Sequence, residues 1–591
     1  MKRIALFLIL ILLPLEMLAD SVSLQRARRL ADTFMSVDGT RAGNLTLTCA
    51  YGMDSRPMEG TRADGDAALY VFNRPGGGFV IVSGDDSFGP VLAYSYTETF
   101  REDASMPANL RGWIEEMTGS IADLRSSHAA ATPKVAERWA LYENPTRAGI
   151  RKSTAVKFYT TALWNQGNPF NLFCPKVGDQ YTITGCVATS IGILMKYYEY
   201  PTRVKGPIPA IGGDGYMVPL REIDYDYDWS SMLMSYTEGN YTQAQAEACA
   251  RLLADIGQVG GLDYGVSSTG GQTADVLYAM ADYFGYDRGI VNDSRYYYTD
   301  DEWRAKLKAE LDQRPMSYTG RSSTGGHAFV MDGYDTDDYF HINWGWSGSS
   351  NGFFDINALG KYTKSHAATF GFKPDAGGYE VPNYSIYVGT TSAGVAYKGI
   401  EMVSKGITPG SVFQVKVGGI INRSYKTFSG DVAVGHCDKD GNLKEIVSST
   451  AMTISDLDRN YWRGYQSVNC MIAKPVEPGD RLRVYYRVTG GDWIRIHCPN
   501  NEGAVDEIII ENELSIDASS YMTYDKTAQT LTLSTKMAAS ISISAASGAS
   551  VASHITISPG IAVFNLATLP KDTYRVTISL DGQVKYFEIV R

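Results

Sequence analysis

The chain has no CxxC pair, no HExxH and no phosphate-binding glycine loop ending in Lys-Ser or Lys-Thr. Those absences remove the zinc-knuckle, zincin and P-loop readings. Cysteine is scarce and odd in number, seven in 591 residues, so no full disulfide framework is indicated. Cys437, Cys470 and Cys498 fall in one β-rich stretch and could supply a single disulfide. The formal charge of −11 and a pI of ≈ 5.3 speak against a nucleic-acid partner. The acid clusters DYDYDW and DGYDTDD lack the calcium-loop pattern and suit turns or solvated edges. Long apolar runs are also missing, with one exception. MKRIALFLILILLPLEMLAD has a basic start and an apolar core with Ala19 near its end, and reads as a signal peptide over 1–19. No other stretch is long enough to span a bilayer.

Two segments carry chemistry. In TGCVATSIGILMKYYEYP, Val187, Ala188, Ile191, Leu194, Met195 and Tyr198 recur at helical spacing after Gly185, and Pro201 stops the run. Cys186 therefore opens a helix, where unpaired N–H groups and the macrodipole favour a thiolate. An inert core thiol is the alternative for an isolated cysteine. In GGHAFVMDGYDTDDYFHINWGWSG, two strand-like runs flank an Asp/Gly/Thr turn near Asp335 to Asp337. A hairpin turning at Asp335 would set His327 opposite Asn343, with directly paired Cβ atoms ~5 Å apart. A thiol, an imidazole and an orienting amide form a nucleophilic site. Gly325 and Gly326 before His327 leave room for a ligand to approach the backbone.

WNQGNPFNLFCP, TGCVATSIGILMKYYEYP, GLDYGVSSTGG, GGHAFVMDGYD and FHINWGWSGSSNGFFDINAL follow one another over roughly 160–375. Together they resemble the streptopain and interpain-type family of papain-clan cysteine peptidases. GGFVIVSGDDSFGPVLAYS near 77–95 resembles that family's propeptide. The resemblance implies Cys186 as nucleophile, His327 as base and later acid, and Asn343 as orienting amide. It implies Gln166 as an oxyanion-hole donor beside the Cys186 N–H, and Trp344 and Trp346 as tryptophans packed beside the histidine. Gly270, Gly271 and Gly326 would offer substrate-binding backbone along the cleft. Cys174 and Cys249 depart from the family expectation; Cys249 reads as core, and Cys174, in an irregular loop, as a possible oxidation liability.

The expected fold class is α+β. A signal peptide at 1–19 precedes an α+β inhibitory propeptide at 20–150, with Leu24, Ala27, Leu30, Ala31 and Phe34 on one helical face and a glycine-linked hairpin near 69–86. A papain-like catalytic domain at 151–376 would have a helical half carrying Cys186 and a β-rich half carrying His327. PDAGGYEVPN reads as a linker. A β-sandwich accessory domain at 383–512 and a β-rich domain at 513–591 follow. The last resembles a type IX secretion sorting domain, with a plain accessory domain as the alternative. YENPTRAGIRKST is polar and basic, and maturation is expected between Arg147 and Lys157.

The function expected is peptide-bond hydrolysis through a thioester by a secreted or cell-surface zymogen exported across a Gram-negative outer membrane. Protein or peptide substrates, the chain's own propeptide as inhibitor, a monomeric state, and no metal or cofactor complete the expectation. The family implies a hydrophobic preference at the second non-prime position. A transferase on the same scaffold and a catalytically idle adhesin are the competing readings.

Overall fold

A computed structural model describes residues 21–590 except 37–43, 59–64, 104–105, 144–152, 323–324, 357–365, 378–383 and short stretches beyond 389. The signal-peptide reading and most of the expected maturation segment lie outside the described residues. The chain divides into two units, Met1–Asn383 and Tyr384–Arg591.

The first unit is mixed α/β. Helix α1 (Leu24–Met35) buries Ala27, Leu30, Ala31, Phe34 and Met35, the stripe that its sequence spacing predicts. Strands β1 (Thr46–Tyr51), β2 (Pro57–Met58), β3 (Leu69–Asn73), β4 (Phe79–Ser83) and β5 (Val91–Ser95) follow. β3 and β4 form the glycine-linked hairpin, with Leu69 paired to Ser83. Helices α2 (Ala108–Ser126) and α3 (Pro133–Glu143) come next, then β6 (Ala155–Phe158).

The remaining elements of the unit hold the reactive candidates. Short pairs join β7 (Lys176–Val177) to β8 (Gln180–Tyr181), β9 (Arg203–Ile208) to β12 (Arg221–Asp226), and β10 (Ile211–Gly213) to β11 (Tyr216–Val218). Helices α4 (Cys186–Tyr198), α5 (Gln243–Val259) and α6 (Thr273–Tyr283) share one core with Trp164, Phe170 and Val330. A Cβ on Gly192 would stand 2.4 Å from Leu253, so the glycine lets α4 and α5 pack closely. α5 begins at a capping box in which Thr242 and Gln245 bond reciprocally. Strand β13 (Val291–Ser294), helix α7 (Asp300–Leu311) and strands β14 (Met316–Ser322), β15 (Gly325–Asp335), β16 (Phe340–Asn343), β17 (Gly352–Phe354) and β18 (Ala367–Phe370) complete it.

One twelve-stranded sheet runs in the order β13-β18-β14-β15-β16-β17-β5-β4-β3-β1-β2, with β6 also on β15. The join is antiparallel, Phe353 opposite Tyr94 and Phe354 opposite Ala93, so the N-terminal strands extend the sheet that carries His327. Tyr94 also donates its hydroxyl to Asp335 Oδ2 at 2.5 Å. Residues on β15 alternate between cores. Ala328 and Val330 join the helical core of α4, while Phe329 and Met331 join a second core with Leu110, Trp113 and Met117 of α2.

The second unit is built of strands among its described residues. Phe428–Cys437 and Arg481–Val488 centre a six-stranded sheet whose core includes Val434, Val484 and Ile472. Further on, two four-stranded sheets bury Leu531, Leu533, Ile541, Ile543, Val576 and Ile578 together. The disulfide expectation is corrected here: all seven cysteines are free thiols. Cys437 Sγ meets the Tyr485 hydroxyl at 2.8 Å, and the Cys498 N–H bonds to Asp506 at 2.7 Å. Cys174 is corrected too. It is buried beside Phe170 in the helical core, and burial pushes its thiol up to about 12, which shields it from oxidation.

Candidate active site

Gly185 caps α4 with φ 84°, a backbone region that suits glycine. A Cβ there would lie 3.0 Å from the side chain and carbonyl of Thr269. Thr269 belongs to the GLDYGVSSTGG loop and donates its hydroxyl to Ile183 O at 2.7 Å. That loop is thus fastened to the turn that presents the thiol. Gly185→Ala is expected to destabilise the protein by ~1–2 kcal/mol through left-handed strain and the clash with Thr269. A fall in midpoint denaturant concentration at constant slope checks it.

Cys186 takes the first position of α4. The N–H of Ala328, on β15, donates to its Sγ at 3.3 Å. The N–H groups of Cys186, Val187 and Ala328 favour a thiolate, yet burial outweighs them and holds the thiol above its ordinary range. The helix-end N–H groups act as the sequence suggests, and burial opposes them in this state of the molecule. Since only the thiolate reacts, alkylation of Cys186 in the uncleaved chain is expected to keep rising with pH through and beyond 9. Iodoacetamide rates across pH 6–10 check this, and a plateau from neutral pH would contradict it.

His327 stands opposite Gly320 on β14. Its imidazole lines a small cavity with Asn109, Trp113 and Glu116 of α2 and with Tyr318, Phe329 and His366. Burial lowers its proton affinity, and Glu115 partly restores it. The backbone beside His327 meets the sulfur, and His327 lines the cavity that residues of α2 share. Asn109, in the first turn of α2, donates Nδ2 to Trp344 O at 2.8 Å and to Ala328 O at 3.3 Å. A residue of the N-terminal region is thereby tied to the backbone on either side of the candidate site.

The hairpin register differs from the sequence expectation. Asn343 pairs with Val330, not His327, because the turn falls beyond Asp335; the irregularity between Met331 and Gly333 moves the pairing by one residue only. Asn343 donates Nδ2 to Thr161 Oγ1 and Ala162 O, each at 2.9 Å, and accepts from the Gly345 N–H at 3.1 Å. Thr161 bonds Asp332 Oδ2 at 2.5 Å, and Asp332 Oδ1 meets His341 Nδ1 at 2.5 Å. A buried polar chain fixes the amide from behind.

Gln166 is buried, and its carbonyl accepts from the Thr184 N–H at 3.0 Å, two residues before the thiol. Trp344 is 1% exposed, donates its indole N–H to Ser350 O at 3.1 Å, and packs 4.9 Å from both Phe329 and Phe354. Trp344→Ala is expected to cost ~3–5 kcal/mol, read from chemical unfolding. Gly270 exchanges both backbone bonds with Asp263 at 2.9 Å, and a Cβ on Gly271 would come within 2.1 Å of Leu262. These two glycines build the loop against Thr269. Gly326 is exposed and pairs with Arg321. Asn109, Thr269, Thr161 and Asp332 escaped the sequence reading, because no local pattern marks a contact made across the sheet. Among the described residues, no group of three or more His, Cys, Asp or Glu is placed to hold a metal.

Comparison with known proteins fits this arrangement. Residues 164–354 match the Peptidase C10 family, and residues 19–121 match the Spi protease inhibitor family. Streptopain of Streptococcus pyogenes is 31% identical over 337 residues, spanning 52% of this chain and 81% of that protein. The thiol protease/hemagglutinin PrtT of Porphyromonas gingivalis is 27% identical over 449 residues, spanning 74% of this chain and 50% of its own. Among solved structures, a prointerpain A fragment of Prevotella intermedia matches at 24% identity and a TM-score of 0.43, covering 57% of this chain and all of the fragment. Active interpain A matches at 30% identity and a TM-score of 0.33, covering 37% of this chain and 94% of its own. The protein is a cysteine peptidase carrying its own inhibitor domain, a zymogen. The chain belongs to the Peptidase C10 family, as a precursor of the streptopain and interpain type.

Proposed function

We propose that the protein is a secreted endopeptidase that cleaves peptide bonds through a thioester, held latent while α2 keeps His327 away from Cys186. The observation that carries this reading is the Ala328 N–H at the Cys186 sulfur, with the neighbouring His327 in a cavity lined by Asn109, Trp113 and Glu116 of α2. Release of residues 20–150 frees His327 to swing toward the thiol and draw its proton. The Cys186 Sγ then attacks the scissile carbonyl, and the Cys186 N–H and the Gln166 amide hold the oxyanion. His327 protonates the departing amine as the C–N bond breaks. Water, giving a proton to His327, opens the thioester and frees the acid product. Asn343 orients the ring, and Trp344 supports it.

Domains at 151–376, 383–512 and 513–591 serve in turn as a papain-like catalytic domain, a β-sandwich accessory domain and a C-terminal module suited to type IX export. Gly270, Gly271 and Gly326 give an extended substrate backbone room, with a hydrophobic residue preferred at the second non-prime position. No described helix is long and apolar enough to cross a membrane. A secreted or surface-held monomer is our reading.

Product analysis of the matured protein on a peptide library tests the activity. New free carboxyl ends support hydrolysis, and new amide bonds in the presence of amines would make the enzyme a transferase. Gln166→Ala is expected to lower kcat by ~10²–10³-fold with KM little changed, as the loss of one oxyanion donor does.

A further inference from the structure

In the cavity that His327 lines, α2 makes a second buried polar contact with the catalytic half. Glu116 is 5% exposed, and its Oε2 lies 2.8 Å from His366 Nε2, just before β18. The imidazole's other nitrogen has a defined role. The Tyr318 hydroxyl stands 2.8 Å from His366 Nδ1, and Arg295 Nη1 approaches the same atom at 3.4 Å. Trp303 donates its indole N–H to the Tyr318 oxygen at 3.2 Å, which leaves the phenolic proton to point at Nδ1. Burial pushes the Tyr318 phenol up to about 12, so the hydroxyl keeps that proton. Two donors converge on Nδ1, so Nδ1 is the bare nitrogen and the ring hydrogen sits on Nε2, aimed at the carboxylate.

Arg295 is itself fixed. It is 2% exposed, reaches the Ile356 carbonyl through Nη1, and pairs with Asp300 at 2.7 Å. Among the described residues, the groups that orient the donor belong to the catalytic half: Trp303 on α7, Tyr318 on β14, Arg295 and His366. Only the acceptor comes from α2. A preorganised donor loses little freedom when its partner docks, and a hydrogen bond to a buried ion is among the stronger kinds.

We propose that the catalytic half carries a carboxylate-accepting slot, His366 backed by Tyr318, Trp303 and Arg295, and that Glu116 is the ligand that fills it in the precursor. The slot is a recognition point for the inhibitor domain, a separate bond from those of Asn109 at the other end of the same cavity. Glu116 lies seven residues along α2 from Asn109, about 10 Å on a helix. The proposal rests on the zymogen reading, in which α2 leaves on activation. Once vacated, the slot would accept a carboxylate again, and the released inhibitor domain rebinding in trans is the occupant its geometry fits.

The test uses the full chain in a Cys186→Ala background, nicked by an added protease within 144–152. The measured quantity is the rate at which the N-terminal fragment dissociates on dilution. Glu116→Ala is expected to speed dissociation ~10–100-fold, the loss of one buried charge-assisted bond. Tyr318→Phe, which removes the hydroxyl that sets the tautomer, is expected to speed it several-fold. The double variant should be no faster than Glu116→Ala alone, because without the carboxylate the tautomer has nothing to serve. A Glu116→Ala rate within twofold of the parent, or multiplying effects, overturns the slot. Should Glu116→Ala fail to melt cooperatively, Glu116→Gln keeps the shape; it is expected to dissociate ~5-fold or more faster, and the parental rate would overturn the slot. This readout needs no catalysis. Failure of nicked chain with native Cys186 to react with a thiol probe would count against the peptidase reading alone.

Discussion

Matured protein carrying Cys186→Ala is expected to hydrolyse peptide substrates ~10⁵–10⁶-fold more slowly than the parent, a loss of the size seen when a nucleophile is removed from a site that acts as a unit. The size follows from the chemistry. Without a sulfur at the start of α4, no thioester forms, and only the oxyanion donors and substrate positioning remain to lower the barrier. Fold should be spared, since the thiol is a small group whose bond from Ala328 is a weak one. The check is kcat/KM on one fluorogenic peptide with the thermal midpoint unchanged. Residual activity above about a thousandth of the parent would move the nucleophile elsewhere.

His327→Ala in the matured protein is expected to lose nearly as much, ~10⁴–10⁶-fold, and adding Cys186→Ala should cost little more. A thiol without a base loses its activation, and a base without a thiol has nothing to activate. Multiplying losses would mean that the two side chains act in separate steps. The prediction is sharper for this chain because the precursor holds them in different surroundings. Burial raises the thiol and lowers the imidazole, so proton transfer between them is disfavoured in the precursor.

Sequence revealed the local parts of this arrangement and missed the distant ones. The helix that opens at Cys186 was legible, because its apolar spacing, Gly185 and Pro201 all lie within one short stretch. The stripe of α1 and the hairpin of β3 and β4 were legible for the same reason. The pairing of β15 with β16 was not, since the turn lies between Asp335 and Tyr339 and no local signature marks its centre. Asn343 consequently answers to Thr161 and Ala162 here. Cys174 read as an oxidation liability because its segment has no regular period, yet the irregular loop folds into the helical core. The contacts of Asn109 and Glu116 span 219 to 250 residues, beyond any spacing argument.

The continuity of the sheet gives latency a physical shape. β5 is hydrogen-bonded to β17, so the N-terminal region is an edge extension of the catalytic sheet as well as a cap over His327. On the proposed latency, its removal would expose a strand edge and free the imidazole in one event. Cutting the connecting segment makes departure possible, because the join then holds only by non-covalent contacts.

The most direct measurement is labelling with an epoxide-type thiol probe before and after mild proteolysis, followed by peptide mapping. The expected result is selective modification of Cys186 only after cleavage near residue 150. Rapid labelling of the intact chain would contradict latency. A folded protein that resists labelling in both forms would contradict the assignment of Cys186 as nucleophile.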